Sequence, residues 1–460
     1  MKRRFFLKPI FIVAIFFILF SCSEEEQISP QQAISSPQTF SKFPTQRDTT
    51  YLDSDLQNLL DEELNILKNP GLHRLVDISG MEVVKNNPKP VYAHYMPWFQ
   101  SKEFDGYWGQ HWTMANKNPD IIDETGRRQI ASYYYPLIGP YSSSDPDLHE
   151  YHFLMMKIAG IDGVIFDWYG SRNQYDYGLI KNGTETFIDK LEDLGMDFSI
   201  MYEDRVATFA QNEGLAQTQV EAASEDFAYI RDQYFTSPRY TRINDVPLLY
   251  VFGPEYITDP AEWDQIFSVF PEDEQPDFLT LWASGNKVGD NFAGEFLWVA
   301  PDHMLAHEYY YQTYSQNNAI TVGGVYPGFE RFYYEGGWSN NANDWIIDPQ
   351  DGQLFVETLN YSHHEEADFL QLITWNDFGE GTMIEPTEEY GFMYLQLIQQ
   401  YTQVEFDPED LYIPLEFYQT RKKYKDHATV QSLLDRTYEY IKRKRFRRVK
   451  AILTAINQYF

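Results

Sequence analysis

The chain has 460 residues, of which 43% are hydrophobic and 23% are charged, and its formal net charge at pH 7 is −33. This length allows one large barrel or two to three ordinary globular domains. The strong negative charge argues against nucleic acid and anionic lipid surfaces as partners, because both would be repelled.

Residues 1–21 have the features of an export signal. Four Lys and Arg residues lie within the first eight positions, and an apolar run follows at 9–20. The run is too short to span a membrane but is typical of a signal peptide. It ends in Leu19-Phe20-Ser21-Cys22, which resembles a bacterial lipobox, so we expect lipidation of Cys22. This residue is the only cysteine, which excludes a disulfide framework.

Residues 22–50 are predicted to form a flexible tether, since they are rich in Ser, Gln, Pro and Thr and offer no core. An acidic run, Ser23-Glu24-Glu25-Glu26, follows the cysteine and resembles the export signal of surface lipoproteins. We therefore expect an exported protein that is lipid-anchored to the outer membrane, on the cell surface or the periplasmic face. Its only membrane contact would be the N-terminal lipid. A helical lead-in is predicted over 51–90, with a helix at Leu52–Leu67.

Residues 91–405 alternate short apolar runs with helical patterns. Such runs are typical of parallel strands that are buried on both faces, and eight of them predict a (β/α)8 TIM barrel. A doubly wound open sheet is the alternative, but the chain lacks a Gly-rich phosphate loop. The sixth strand is the least distinct, because Met304–Glu308 competes with it. The predicted strands are Val91–Met96, Gly163–Trp168, Asp197–Tyr202, Pro247–Phe252, Phe278–Ala283, Phe296–Val299, Ile320–Tyr326 and Phe369–Thr374.

Helical spacing of apolar residues precedes the second and third strands, and Gly160 and Gly195 are predicted to end these helices. Residues 406–460 are predicted to form a helical C-terminal appendage, with helices at Glu416–Tyr424 and Thr429–Ile456. The basic run from Lys442 to Lys450 is interpreted as a solvated helix face.

In a barrel of this class the active site lies at the carboxyl ends of the strands. Aromatic residues make up 17% of the chain, and their flat faces match sugar rings. Carboxylates, aromatics, amides and histidines at the strand ends are typical of a glycosidase. The tryptophans could instead plug the barrel mouth, and a buried histidine is more often structural. The predicted substrate-binding residues are His94, Tyr95, Trp98, His111, Trp112, Asp167, Trp168, Tyr202, Glu203, Tyr250, His307, Trp375, Asn376 and Glu385.

Asp377 and Glu380 follow the eighth predicted strand, three residues apart. If the chain turned into a helix there, both side chains would share one face. Two close carboxylates do not ionise together freely, so one stays protonated near neutral pH and the pair supplies an acid and a base. The spacing alone favours a capping or surface carboxylate pair over a catalytic one. The histidines lack a zinc-binding spacing, and we expect neither a metal nor another cofactor.

The segment Ile373–Pro386, with the sequence Ile-Thr-Trp-Asn-Asp-Phe-Gly-Glu-Gly-Thr-Met-Ile-Glu-Pro, resembles the catalytic segment shared by glycoside hydrolase families 71 and 99. The stretches at 91–98 and 138–170 resemble the first two strands of both families. Family 71 contains α-1,3-glucanases, and family 99 contains endo-acting α-mannosidases and α-mannanases. The resemblance implies that Glu380 is the general acid/base and Asp377 its partner.

The partner carboxylate differs between the two families. In family 99 it is a Glu, proposed to deprotonate the sugar 2-hydroxyl, so that an anhydro-sugar forms. In family 71 it is an Asp, and water attack with inversion is expected. The Asp at position 377 therefore departs from family 99. We expect Glu380 to hold the proton of the resting pair.

The resemblance implies an endo-acting hydrolase that cleaves an α-linked glycan, either α-mannan or α-glucan. The alternative is a non-catalytic glycan-binding surface lipoprotein on the same barrel, against which the presence of Asp377 and Glu380 argues. Neighbouring glycan-uptake proteins are the expected partners besides the substrate.

Overall fold

Eight parallel strands close into a barrel in the computed structural model, which describes residues 37, 40–46, 50–69, 80–364 and 367–460. The predicted signal peptide and Cys22 lie outside these residues. The strands are β1 (Val91–Tyr95), β2 (Gly163–Trp168), β3 (Asp197–Tyr202), β5 (Val246–Val251), β6 (Asp277–Leu281), β7 (Phe292–Phe296), β8 (Ile320–Val325) and β9 (Phe369–Leu372); a short strand β4 (Arg242–Ile243) pairs antiparallel with β5. The spatial order of the barrel strands is β3-β2-β1-β9-β8-β7-β6-β5, and pairing of β3 with β5 closes the barrel.

The predicted (β/α)8 fold is confirmed, and one strand was placed wrongly. The sixth barrel strand is β7, which begins four residues before the predicted Phe296–Val299. The strand was misplaced because Glu295 interrupts its apolar pattern. The Glu295 side chain is nevertheless buried, and its carboxylate accepts hydrogen bonds from the backbone N–H groups of Ala283, Ser284 and Gly285 at 2.9–3.2 Å. The competing stretch Met304–Glu308 is helical.

The predicted helix stops are confirmed, since Gly160 and Gly195 end their helices with φ of 83° and 67°, a left-handed conformation that glycine adopts without strain. The α-helices are α1 (Asp53–Lys68), α2 (Lys102–Asp105), α3 (Gln110–Thr113), α4 (Pro146–Ala159), α5 (Tyr177–Leu194), α6 (Arg205–Asn212), α7 (Gln219–Tyr229), α8 (Pro260–Phe267), α9 (His303–Tyr309), α10 (Tyr333–Gly336), α11 (Gln353–His364), α12 (Met393–Thr402), α13 (Tyr412–Lys423), α14 (Ala428–Lys442) and α15 (Phe446–Tyr459).

The barrel interior is filled by apolar side chains from its own strands. Tyr92, Ile165, Met201, Tyr250 and Phe296 belong to one buried cluster, which has five further buried members on the barrel strands. Because this layer closes the centre of the barrel, open space remains only towards the ends of the strands.

The C-terminal region contains three helices where two were predicted. The single helix expected at Thr429–Ile456 is broken between α14 and α15, where Lys444 has a φ of 56°. Helix α13 packs on α4, and α15 packs on α1. No helix of the described residues is long and apolar enough to cross a bilayer.

The basic run of this region does not form the solvated face that we expected. Lys442 is 2% exposed and contacts Asp193 at 3.0 Å. Arg448 and Arg436 hold the buried carboxylate of Glu63 on α1, so the cations fasten the lead-in helix to the C-terminal helices.

Candidate active site

A cavity of about 520 Å³ lies at the carboxyl end of the barrel. Its walls come from the loops that follow β1, β2, β3, β5, β7, β8 and β9, so distant parts of the sequence meet there. The lining residues are His94, Met96, Trp98, Phe99, His111, Met114, Asp167, Tyr169, Glu203, Arg205, Phe252, Glu255, Trp298, Tyr333, Trp338, Asp377, Gly379 and Glu380.

Both predicted catalytic carboxylates line this cavity, on a turn rather than on the helix that their spacing suggested. The backbone N–H of Glu380 donates to Asp377 Oδ1 at 3.0 Å, and the backbone N–H of Asp377 donates to Thr374 Oγ1 at 2.8 Å. The hydroxyl of Tyr333 donates to Glu380 Oε1 at 3.0 Å. The turn therefore fixes one oxygen of Asp377, and Tyr333 holds one oxygen of Glu380.

Burial is the main cause that raises the pKa of Asp377 and of Glu380. The negative charges of Glu380 and Asp167 raise the pKa of Asp377 further. For Glu380 the Tyr333 hydroxyl and the Arg331 charge partly offset the effect of burial on the pKa. Both pKa values are thus raised, so the pair retains a proton towards neutral pH, and our expectation that Glu380 holds it stays a prediction. A coupled pair of this kind titrates as one unit.

A second pair of carboxylates faces the same cavity from β2 and β3. Burial raises the pKa of Asp167 to about 7, while Arg205 counteracts this increase. Burial and the Asp167 charge raise the pKa of Glu203 well above its ordinary value. Arg205 contacts Glu203 at 3.2 Å and donates to the Tyr169 hydroxyl at 2.6 Å. One cation thus faces several acids, and the site favours protonated carboxyl groups that donate hydrogen bonds.

His94 is a neutral hydrogen-bond donor in this wall. Burial lowers its pKa to about 3. The Gln371 side-chain amide donates to His94 Nδ1 at 3.2 Å, so the ring proton lies on Nε2. The ring also packs edge-on against Trp298, with 4.9 Å between centroids.

Trp98 and His111 form a stacked pair with 4.1 Å between ring centroids. Asp176 lies 3.3 Å from His111 Nε2 and orients that ring. The buried atoms Trp98 Nε1 and Asp167 Oδ1 have no hydrogen-bond partner within the described part of the chain. Since buried polar atoms are nearly always paired, these two are available to a ligand in the cavity.

Nine predicted substrate-binding residues do not line the cavity, because each is buried against the protein itself. Tyr202, for example, donates to Asp226, and His307 contacts the backbone oxygens of His303 and Gly324. The nine are Tyr95, Trp112, Trp168, Tyr202, Tyr250, His307, Trp375, Asn376 and Glu385.

Glu385 and Asn376 instead belong to a buried network behind the catalytic turn. Glu385 lies 3.3 Å from His152 and accepts a 2.6 Å hydrogen bond from the Tyr141 hydroxyl. Asn376 donates to that same hydroxyl at 3.2 Å and accepts from the backbone N–H of Met96 at 2.8 Å. The network fixes the residue that directly precedes Asp377.

Several residues that line the cavity were not among the predicted site residues. Arg205 and Tyr169 stand one or two residues beyond predicted ones, and position directly after a strand was the signal that could have found them. Tyr333 and Trp338 lie in the long β8–β9 connection, where no periodic pattern points to the cavity. Among the described residues, no group of three His, Cys, Asp or Glu side chains could hold a metal ion.

The family model described as Glycosyl hydrolase family 99 matches residues 87–425. The glycoprotein endo-alpha-1,2-mannosidase of Mus musculus is 22% identical over 324 residues, which cover 64% of this chain and 67% of that protein. The glycoprotein endo-alpha-1,2-mannosidase-like protein of Danio rerio is 23% identical, covering 71% and 79% respectively.

A solved structure has a similar fold. The family 99 endo-alpha-mannosidase from Bacteroides thetaiotaomicron superposes with a TM-score of 0.54 at 18% identity, covering 69% of this chain and 98% of that one. This likeness agrees with the closed barrel.

Proposed function

Because this chain belongs to glycosyl hydrolase family 99, we propose that it cleaves internal α-mannosidic linkages with Glu380 as general acid and Asp377 as the partner base. The chain is an endo-acting glycoside hydrolase of α-linked glycans, as its family and relatives indicate. We propose mannose as the sugar because relatives of this chain are named as mannosidases. The observation that carries the catalytic assignment is that both carboxylates of one turn face a single aromatic-walled cavity.

The proposed reaction begins with one proton on the pair. The form that starts the reaction has this proton on Glu380, which passes it to the leaving glycosidic oxygen, while ionised Asp377 accepts a proton. Burial raises the pKa of both carboxyl groups, which favours a pair that keeps one proton. Asp377 Oδ1 is held by the backbone of Glu380, so Oδ2 is the atom that accepts the proton.

The source of the proton that reaches Asp377 decides the stereochemistry. If Asp377 deprotonates water, attack on the opposite face gives inversion. If it deprotonates the sugar 2-hydroxyl, an anhydro-sugar forms, and its opening by water gives net retention. Proton NMR of the first anomer released from an α-mannan therefore separates the two routes.

The proposed specificity is tested by product analysis on α-mannan and on α-1,3-glucan. We expect oligosaccharides from α-mannan only, and none from either polymer with Glu380→Gln. The matched control is Glu357→Gln on α11, which does not line the cavity. Cleavage of α-1,3-glucan in preference to α-mannan would contradict mannose specificity, whereas binding without turnover of any α-glycan would favour the non-catalytic alternative.

We further propose that the protein is exported and held at the outer membrane by a lipid on Cys22, beside partners in glycan uptake. The lipobox-like Leu19-Phe20-Ser21-Cys22 supports this proposal. The Cys22→Ala variant should move from the membrane fraction to the soluble fraction. Unchanged membrane retention would contradict the lipid anchor.

A further inference from the structure

Two large aromatic side chains are exposed beside the cavity. Trp338 is 43% exposed and Tyr175 is 68% exposed. Single exposed aromatics are common on protein surfaces. These two differ from that background because ring contacts connect each of them to the wall of the active site.

Trp338 lies close to the catalytic pair. Its ring contacts Tyr333 with 5.8 Å between centroids, and the Tyr333 hydroxyl donates to Glu380. Its ring also meets the edge of His111 at 5.7 Å, and His111 stacks on Trp98. Trp338 therefore presents one part to the cavity and another to solvent.

Tyr175 reaches the same wall by a second route. It contacts Tyr177 with 5.4 Å between ring centroids, and Tyr177 contacts the cavity residue Tyr169 at 5.2 Å. The backbone of Tyr175 has a φ of 51°, a conformation that is costly for a bulky side chain. The next residue, Asp176, lies 3.3 Å from His111 Nε2, so the segment that carries Tyr175 also contacts the cavity wall.

We propose that Trp338 and Tyr175 form an aromatic rim that binds the part of an uncharged α-glycan chain lying outside the cavity. This inference rests on the proposed function and names the substrate as a polymer. The cavity, at about 520 Å³, has the size of a site for a drug-sized ligand and encloses only a few sugar rings. A longer chain passes over the rim, and flat rings suit the apolar faces of sugars.

The negative charge of the protein favours an uncharged polymer as the ligand of the rim. The cavity is lined by Asp167, Glu203, Glu255, Asp377 and Glu380, and Arg205 is the one lysine or arginine among its described lining residues. The whole chain carries a formal charge of −33. Uronate-containing or sulfated chains would be repelled, and neutral ones would not.

The experiment compares Trp338→Ala and Tyr175→Ala with Phe460→Ala, a control at the C-terminus that is also 43% exposed. The ratio of kcat/KM on polymeric α-mannan to kcat/KM on a short α-mannooligosaccharide should fall about fivefold for each rim variant, the scale of one aromatic contact. The control should keep the wild-type ratio. Equal losses on both substrates, or no loss, would overturn the inference.

Affinity electrophoresis separates failure of the rim from failure of the proposed function. In gels containing α-mannan, the Glu380→Gln protein should be retarded, and adding Trp338→Ala should weaken the retardation. If the wild type cleaves α-mannan but the rim variants bind it normally, only the rim fails. If nothing is cleaved, retardation that depends on Trp338 in any neutral α-glycan still supports the rim. No retardation in neutral gels, or equal retardation by alginate, would overturn it.

Discussion

Glu63 and Asp377 are both buried carboxylates, with exposed fractions of 1% and 3%, but their neighbours differ. Glu63 lies behind the barrel, where Arg436 and Arg448 donate to it at 2.5 and 2.8 Å. Tyr440 adds a hydrogen bond of 2.9 Å. Asp377 lies in the cavity, and the charges that raise its pKa are those of other carboxylates.

The comparison shows that burial alone does not mark a functional acid. A buried charge is tolerated where counter-charges and hydrogen bonds compensate for lost hydration, as around Glu63. Where compensation is incomplete, the group keeps its proton and becomes available for acid–base chemistry. The difference between Glu63 and Asp377 is therefore the supply of cations.

The largest expected effect tests the cavity side of this comparison. Glu380→Gln and Asp377→Asn should each lower kcat by roughly 10³-fold or more, because each removes a group that transfers a proton in the transition state. Neither should destabilise the fold, since the amide replaces a carboxyl group that is poorly compensated. Steady-state kinetics and urea unfolding measure the two effects. Near-wild-type kcat in a folded Glu380→Gln variant would remove the catalytic assignment.

The second prediction concerns Glu63, the compensated carboxylate of the comparison. Glu63→Gln should lower the free energy of unfolding by about 3 kcal/mol, because it breaks a buried ion pair. This value is the low end of the range for such pairs, since the side chains of both arginines are partly exposed to solvent. We expect kcat to stay at the wild-type value. The matched control is Glu62→Gln, which removes an exposed pair with Arg448 and should cost about 0.5 kcal/mol or less. Similar losses for the two variants would contradict the contrast.

Much of this fold could be predicted from the sequence, because strands buried on both faces read as apolar runs. The exception is instructive: β7 contains Glu295, whose compensation by three backbone N–H groups comes from another part of the chain. Sequence periodicity reports burial, but it does not report which distant atoms make a buried charge acceptable.

The candidate site was predicted only in part, for a geometric reason. Consecutive residues of a strand point to opposite sides. Both members of adjacent pairs such as His94–Tyr95 and Asp167–Trp168 were predicted to bind substrate. In the structure His94 and Asp167 face the cavity, while Tyr95 and Trp168 pack outwards. Position at a strand end could be predicted, whereas the direction of each side chain could not.

Glu385 sharpens the comparison, because it is buried near the catalytic turn and its partners are the Tyr141 hydroxyl and His152 rather than arginines. Glu385→Gln should lower the free energy of unfolding by about 2 kcal/mol, since His152 loses a buried partner while Tyr141 keeps an acceptor. It should lower kcat much less than Glu380→Gln does, through displacement of Asn376. The reverse pattern, with full stability and lost kcat, would restore the substrate-contacting role that the sequence predicted.

The smallest expected effect concerns Asp167, whose pKa burial raises from 3.8 to about 7. The folded protein therefore keeps a proton that the unfolded chain releases at lower pH. The stabilisation from that proton is complete below the unfolded pKa and is lost as the pH rises through about 7. Asparagine mimics the protonated form at every pH. Asp167→Asn should thus raise the free energy of unfolding at pH 8 by roughly 1–2 kcal/mol, because the ionised carboxylate is destabilised in the fold even with Arg205 beside it. The gain should shrink towards zero as the pH approaches 4.

Urea unfolding at several pH values measures this gain in the free energy of unfolding. The control is Asp120→Asn, which changes an exposed carboxylate and should show no gain at pH 8. A variant that is less stable than the wild type at pH 8 would mean that Arg205 compensates Asp167 as fully as the arginines compensate Glu63.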